Sequence, residues 1–172
     1  ISGSDQVLCA NNPVGTLNGG YTLATGGQWS GGNGNFFPST TNMNATYTPT
    51  AAEIANGNVT LTLTTTGNGS CNQVTDNITL NFTAAPLVNA GAAGSVCANN
   101  ASVALSGSVS GATGGVWSGG AGSFTPNNTT LNATYTPTAG EIAAGTLTLT
   151  LTSTGNGNCN AVAASRVINF TP

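Results

Sequence analysis

Val59-Thr60-Leu61-Thr62-Leu63-Thr64 alternates apolar and polar residues without a break. A period of two puts every apolar side chain on one face of a β-strand and every threonine on the other. Beyond it, Thr66-Gly67-Asn68-Gly69 holds the Asn-Gly pair of a hairpin connection. Ile78-Thr79-Leu80-Asn81-Phe82 then alternates again and predicts the returning strand. Upstream, Gln28-Trp29-Ser30 reads as a short strand stopped by Gly31-Gly32-Asn33-Gly34, and Asn44 to Thr48 alternates as well. Gln6 to Cys9 is an apolar stretch ended by Asn11-Asn12-Pro13, a second stretch runs around Thr16 to Thr22, and Phe36-Phe37-Pro38 leads into a polar loop.

One segment breaks this pattern. Thr50-Ala51-Ala52-Glu53 fits a capping box, with Thr50 as the N-cap, Glu53 reaching back to its amide and Gly57 closing the turn. It predicts a helix of about one turn.

The chain then repeats itself. Cys9-Ala10-Asn11-Asn12 returns as Cys97-Ala98-Asn99-Asn100, Trp29-Ser30-Gly31-Gly32 as Trp117-Ser118-Gly119-Gly120, and Asn44 to Ala51 as Asn132 to Ala139, each 88 positions on. A repeat of this length in a 172-residue chain predicts two self-sufficient modules, 1–85 and 86–172. Both are expected to be all-β, antiparallel, two-sheet sandwiches of Ig-like architecture carrying the short helix, capped in the second copy by Thr138 and Glu141. Trp29, Tyr47, Trp117 and Tyr135 lie in or beside strands and are expected to fill the cores. The short joint Thr83 to Asn89 has no Gly/Ser run, so limited bending is expected there. Ile1-Ser2-Gly3 aligns with Asn89-Ala90-Gly91, inside the repeat, and is expected to mark an excised piece of a longer chain.

Four cysteines admit three pairings. A module copied whole is expected to close its own bond, which favours Cys9–Cys71 and Cys97–Cys159. Loops of that size would add about 4 kcal/mol through the entropy of the unfolded chain. Persistent disulfides point to an oxidising compartment. Zinc is not expected, since two isolated cysteines without histidine cannot complete a tetrahedral site.

Only five residues carry charge, Asp5, Glu53, Asp76, Glu141 and Arg166, and there is no Lys or His. One arginine cannot form the basic surface that nucleic acids or anionic membranes require. No apolar run is long enough to span a bilayer. Catalysis lacks a His or Lys base, and the carboxylates do not cluster. No cofactor or metal is expected, although a cation site of carbonyl oxygens at the joint stays open. The absence of Lys also excludes Lys–Asn isopeptide cross-links. Tyr21 and Phe37 become Val109 and Thr125 in the second copy. They are the candidate exposed aromatics for ligand contact.

Several motifs occur in fixed order: Asn89 to Gly91 before Cys97-Ala98, Trp117 to Gly122, Asn132 to Ile142, a Thr-Leu-Thr-Leu-Thr strand, and Gly155 to Cys159. Together they resemble the Ig-like repeats arrayed in very large surface proteins of Bacteroidota, including gliding-motility adhesins of the SprB type. The resemblance covers both repeats. It implies export by type IX secretion, display on the outer cell surface, and a non-enzymatic role in an adhesive filament. The partners expected on this basis are neighbouring repeats, with surface glycans or other filament chains beyond them. The alternative is a carbohydrate-binding module of a secreted multidomain protein.

Overall fold

Alternation, strict in the strand before each hairpin and looser in the returning one, produces the two longest strands of each half. In the computed structural model, which describes every residue from Ile1 to Pro172, the chain divides into two units, Ile1–Ala85 and Pro86–Pro172. The first contains β1 (Gln6–Cys9), β2 (Gly15–Thr16), β3 (Gly26–Ser30), β4 (Asn35–Phe37), β5 (Thr46–Thr48), α1 (Ala51–Asn56), β6 (Asn58–Thr66) and β7 (Thr75–Thr83). One sheet runs β1-β7-β6-β3 and the other β2-β5-β4. Leu61 and Leu63 on β6, Ile78 and Leu80 on β7, Trp29 on β3 and Tyr47 on β5 close the core between them.

The second unit repeats this plan with β8 (Leu87–Asn89), β9 (Gly94–Cys97), β10 (Val103–Ala104), β11 (Ser108–Ser110), β12 (Gly114–Ser118), β13 (Ser123–Thr125), β14 (Thr134–Thr136), α2 (Ala139–Ala144), β15 (Thr146–Thr154) and β16 (Ala163–Thr171). Its sheets are β12-β15-β16-β9 and β10-β14-β13, with a further β11-β8 pair. Trp117, Tyr135, Leu149, Leu151 and Ile168 occupy its centre. The all-β sandwich, present twice, is the architecture the alternation predicts.

Two stretches gain detail and one edge is corrected. Around Thr16 to Thr22 the strand is limited to β2 at Gly15–Thr16. Phe36 and Phe37 belong to β4, paired antiparallel with β5, and the polar loop expected beyond them begins at Pro38. The correction concerns the edge strand. β1 runs parallel to β7, with Gln6 opposite Leu80 and Cys9 opposite Thr83. β9 does the same against β16, with Cys97 opposite Thr171. The sandwiches are therefore antiparallel except at one edge.

That parallel edge overturns the expected bridges. Cys71 lies in the β6–β7 hairpin, before Thr75, whereas Cys9 sits opposite Thr83 at the far end of β7. At about 3.3 Å per residue, β7 separates the two ends by roughly 26 Å. A disulfide needs Cα atoms within about 7 Å. The same geometry separates Cys97 from Cys159 along β16. Accordingly neither Cys9–Cys71 nor Cys97–Cys159 forms. Cys71 and Cys97 are exposed free thiols, while Cys9 and Cys159 are disulfide-bonded.

Candidate functional sites: a buried tyrosine–glutamate clamp and a depression beside the hairpin

Each short helix does more than cap itself. Thr50 and Glu53 form the capping box, with Glu53 N–H donating to Thr50 Oγ1 at 3.3 Å and Thr50 N–H donating to Glu53 Oε2 at 2.7 Å. The other carboxylate oxygen faces the sandwich. Glu53 Oε1 accepts from Tyr47 OH at 2.7 Å and from Asn33 N–H at 2.7 Å. Tyr47 OH in turn accepts from Gly34 N–H at 2.8 Å. The helix, β5 and the β3–β4 turn are thereby tied to one carboxylate that is only 6% exposed.

The second unit reproduces these contacts. Tyr135 OH and Ala121 N–H each reach Glu141 Oε1 at 2.7 Å, Thr138 N–H reaches Oε2 at 2.7 Å, and Gly122 N–H reaches Tyr135 OH at 2.8 Å. Phe36 and Phe124 tilt against the two tyrosines with ring centroids 4.8 Å apart in both copies. The turn must pass very close to the phenol. At Gly32 (φ 68°) and Gly120 (φ 74°) an added Cβ would collide with the Tyr47 or Tyr135 hydroxyl, and the backbone there is left-handed as well. The second glycine of the Trp-Ser-Gly-Gly motif is thus required by the clamp, whereas a Cβ on the first, Gly31 or Gly119, would meet the backbone carbonyl of Thr60 or Thr148 instead.

Electrostatics follow from the same bonds. Burial pushes the Glu53 carboxyl upward, but hydrogen bonds from Thr50, Asn33 and Tyr47 outweigh it and hold the pKa below the usual carboxylate value. Glu141 is lowered in the same way, burial being outweighed by Thr138, Tyr135 and Ala121. Tyr47 and Tyr135 are pushed up to about 12 by burial first and by the adjacent carboxylate second. These carboxylates are fully engaged as acceptors. Their chemistry is to hold three elements together, a role the capping motif reveals only in part because the Tyr–Glu contact spans the two elements.

The remaining candidate residues lie elsewhere. Trp29 and Trp117 are buried in the two cores. Trp117 Nε1 donates to Leu131 O at 3.1 Å, whereas Trp29 Nε1 is buried without a partner. Tyr21 is 41% exposed and Phe37 is 73% exposed. Tyr21 lines a shallow depression beside the β6–β7 hairpin with Leu23, Asn68, Cys71 and Val74, and Phe37 does not take part in it. The structure therefore does not join the two aromatics in one site.

Asp5 and Asp76 do local work. Asp5 Oδ1 accepts from Thr79 N–H at 2.8 Å, continuing the β1–β7 edge. Asp76 Oδ2 accepts from Ser2 N–H at 2.8 Å and pins the first residues, and that bond with the one from Asn77 N–H lowers its pKa. No helix is long and apolar enough to cross a membrane.

No family model matches the chain, and no curated protein matches it in sequence. In structure it is similar to the insect immune protein hemolin, with a TM-score of 0.51 at 13% identity over 99% of this chain and 46% of that one. It also matches a three-Ig segment of titin (TM-score 0.45, 11% identity, 98% and 63% of the two chains) and Drosophila N-cadherin (0.44, 11%, 99% and 48%). The chain spans less than half of the hemolin chain it matches. The fold is Ig-like. At such identities the likeness concerns the fold alone, and the hemolin arrangement is described as having implications for homophilic adhesion in that protein.

Proposed function

We propose that the chain is a structural and adhesive repeat module of a long extracellular surface filament. The observation that carries this reading is what the two copies share. The clamp distances agree in both units: Tyr to Glu, helix cap to Glu, and turn to Tyr. The exposed aromatics are not shared, since Tyr21 and Phe37 correspond to Val109 and Thr125 in the second copy. Copying has preserved a way of folding rather than a binding surface, which is the demand on a stalk. The Ig-like neighbours, adhesion and structural domains among them, support the same reading. With the motifs quoted above, the reading extends to a gliding-motility adhesin of Bacteroidota, exported by type IX secretion to the outer surface.

Antibodies against the module, applied to intact cells of the source organism, test this directly. Labelling of unpermeabilised cells along extended filaments is the expected outcome. Label that appears only after permeabilisation refutes surface display.

The second reading, carbohydrate binding, draws on the exposure of Phe37 and Tyr21. Glycan-array binding that disappears in Tyr21→Ala or Phe37→Ala would favour it over the stalk.

A further inference from the structure

The two cysteines of a module sit at opposite ends of the same sheet. In the first unit the hairpin cysteine is Cys71 and the strand-end cysteine is Cys9; in the second they are Cys159 and Cys97. The parallel edge strand forbids their bonding within a module. One cysteine of each type is oxidised, Cys9 at a strand end and Cys159 at a hairpin, and one of each type is an exposed thiol, Cys97 and Cys71. Each of the two position types is thus bonded in one module and open in the other.

The surface around Cys71 is unlike that of an ordinary hairpin. Leu23 is fully exposed, at 103%, and is the one non-glycine residue with positive φ (63°). The second copy has Gly111, with φ 72°, at that position. A leucine held left-handed costs about 1 kcal/mol or more relative to glycine, and here the strained backbone carries an apolar side chain out into solvent. Val74 is exposed too, and with Tyr21 it lines the same depression as Leu23 and Cys71.

We propose that this depression is the receiving face for a second copy of the chain, joined head to tail by a disulfide between Cys97 of one copy and Cys71 of the next. Two thiols lose two protons and two electrons, and a small-molecule disulfide such as oxidised glutathione accepts them as its own S–S bond breaks to give two thiols. The partner is fixed by complementarity: a hairpin thiol on one copy and a strand-end thiol on the other, the two position types oxidised elsewhere in the chain. The inference deepens the filament reading but does not depend on it, because cross-linking in solution is independent of where the protein is displayed.

The test uses the whole chain with Cys9 and Cys159 untouched. Oxidation with a glutathione redox pair is expected to give a ladder of covalent multimers on non-reducing gels, with Cys71–Cys97 linked peptides found by mass spectrometry. Cys71→Ser and Cys97→Ser each abolish the ladder. Mixed in equal amounts, the two variants are expected to give one heterodimer in roughly tenfold excess over either homodimer, against the twofold excess that random pairing gives. Random proportions of the three dimers overturn the proposal. So do monomers carrying only glutathione, and so does Cys71 bonded to Cys97 within one chain. Leu23→Gly keeps the left-handed turn and is expected to slow Cys71–Cys97 bond formation severalfold; an unchanged rate refutes the apolar receiving face.

Discussion

The last strands of the two modules, β7 and β16, begin differently and end alike. Ile78, 1% exposed in the first core, corresponds to Arg166 in the second, since Leu61 pairs with Ile78 as Leu149 pairs with Arg166. Two residues earlier Asp76, which holds Ser2, corresponds to Ala164. The single positive side chain of the protein thus replaces an aliphatic core residue, with its Nε buried and unpartnered. At the other end, Leu80 and Phe82 correspond to Ile168 and Phe170, and all four pack on their cores. The difference teaches where a sandwich tolerates change. Toward the hairpin the sheet holds a buried isoleucine in one copy and a half-buried arginine in the other, while the end beside the helix keeps large apolar residues in both.

Truncating the central tryptophan should have the largest effect and tests whether the modules are energetically equal. Trp29→Ala and Trp117→Ala are each expected to destabilise their own module by about 4 kcal/mol. The measurement is denaturant unfolding of the whole chain, read as separate transitions. Unequal losses would show that the unpartnered Trp29 indole already weakens the first core.

Exchanging the differing strand position comes next. Ile78→Arg should cost the first module about 3 kcal/mol by placing a charge at a closed site. Arg166→Ile should stabilise the second by about 1 to 2 kcal/mol, by adding buried apolar area and removing the orphaned Nε. Loss of stability in Arg166→Ile would mean that the arginine holds a partner its neighbours do not supply.

The clamp should respond alike in both copies. Tyr47→Phe and Tyr135→Phe each leave a carboxylate short of one donor and a turn amide without an acceptor, for about 2 kcal/mol. The glutamates are depressed in the folded state, so their contribution is complete above about pH 4.3, the unfolded value, and disappears as pH falls through the folded pKa. The tyrosines are raised, so theirs is complete below about pH 10 and is lost as pH climbs toward the folded value of about 12. Urea midpoints across pH should fall at both extremes, and Glu53→Gln should remove the first module's share of the acid slope. A slope unchanged in that variant would place the acid sensitivity outside the clamp.

The smallest effect is expected at the left-handed turn. Leu23→Gly should stabilise the first module by about 1 kcal/mol in thermal unfolding, because glycine removes the strain that leucine tolerates. Destabilisation would show that Leu23 is packed rather than presented.

Much was legible before folding. The 88-residue repeat, the period of two from Val59 to Thr64, the capping boxes at Thr50 and Thr138, and the burial of Trp29 and Tyr47 all follow from local pattern. These features depend on side-chain alternation and on groups a few residues apart, which a linear reading can resolve. The direction of β1 could not be read, because four residues alternate identically in either direction. Only the assembled sheet set β1 parallel to β7, and that one choice moved Cys9 to the far end from Cys71 and removed both expected bridges. The clamp was hidden in part for a similar reason. Thr50 and Glu53 announce a cap, but which tyrosine meets the second carboxylate oxygen depends on how the helix docks against the smaller sheet. Alternation and capping are local and survive translation into sequence; strand direction and cross-element contacts are decided by packing.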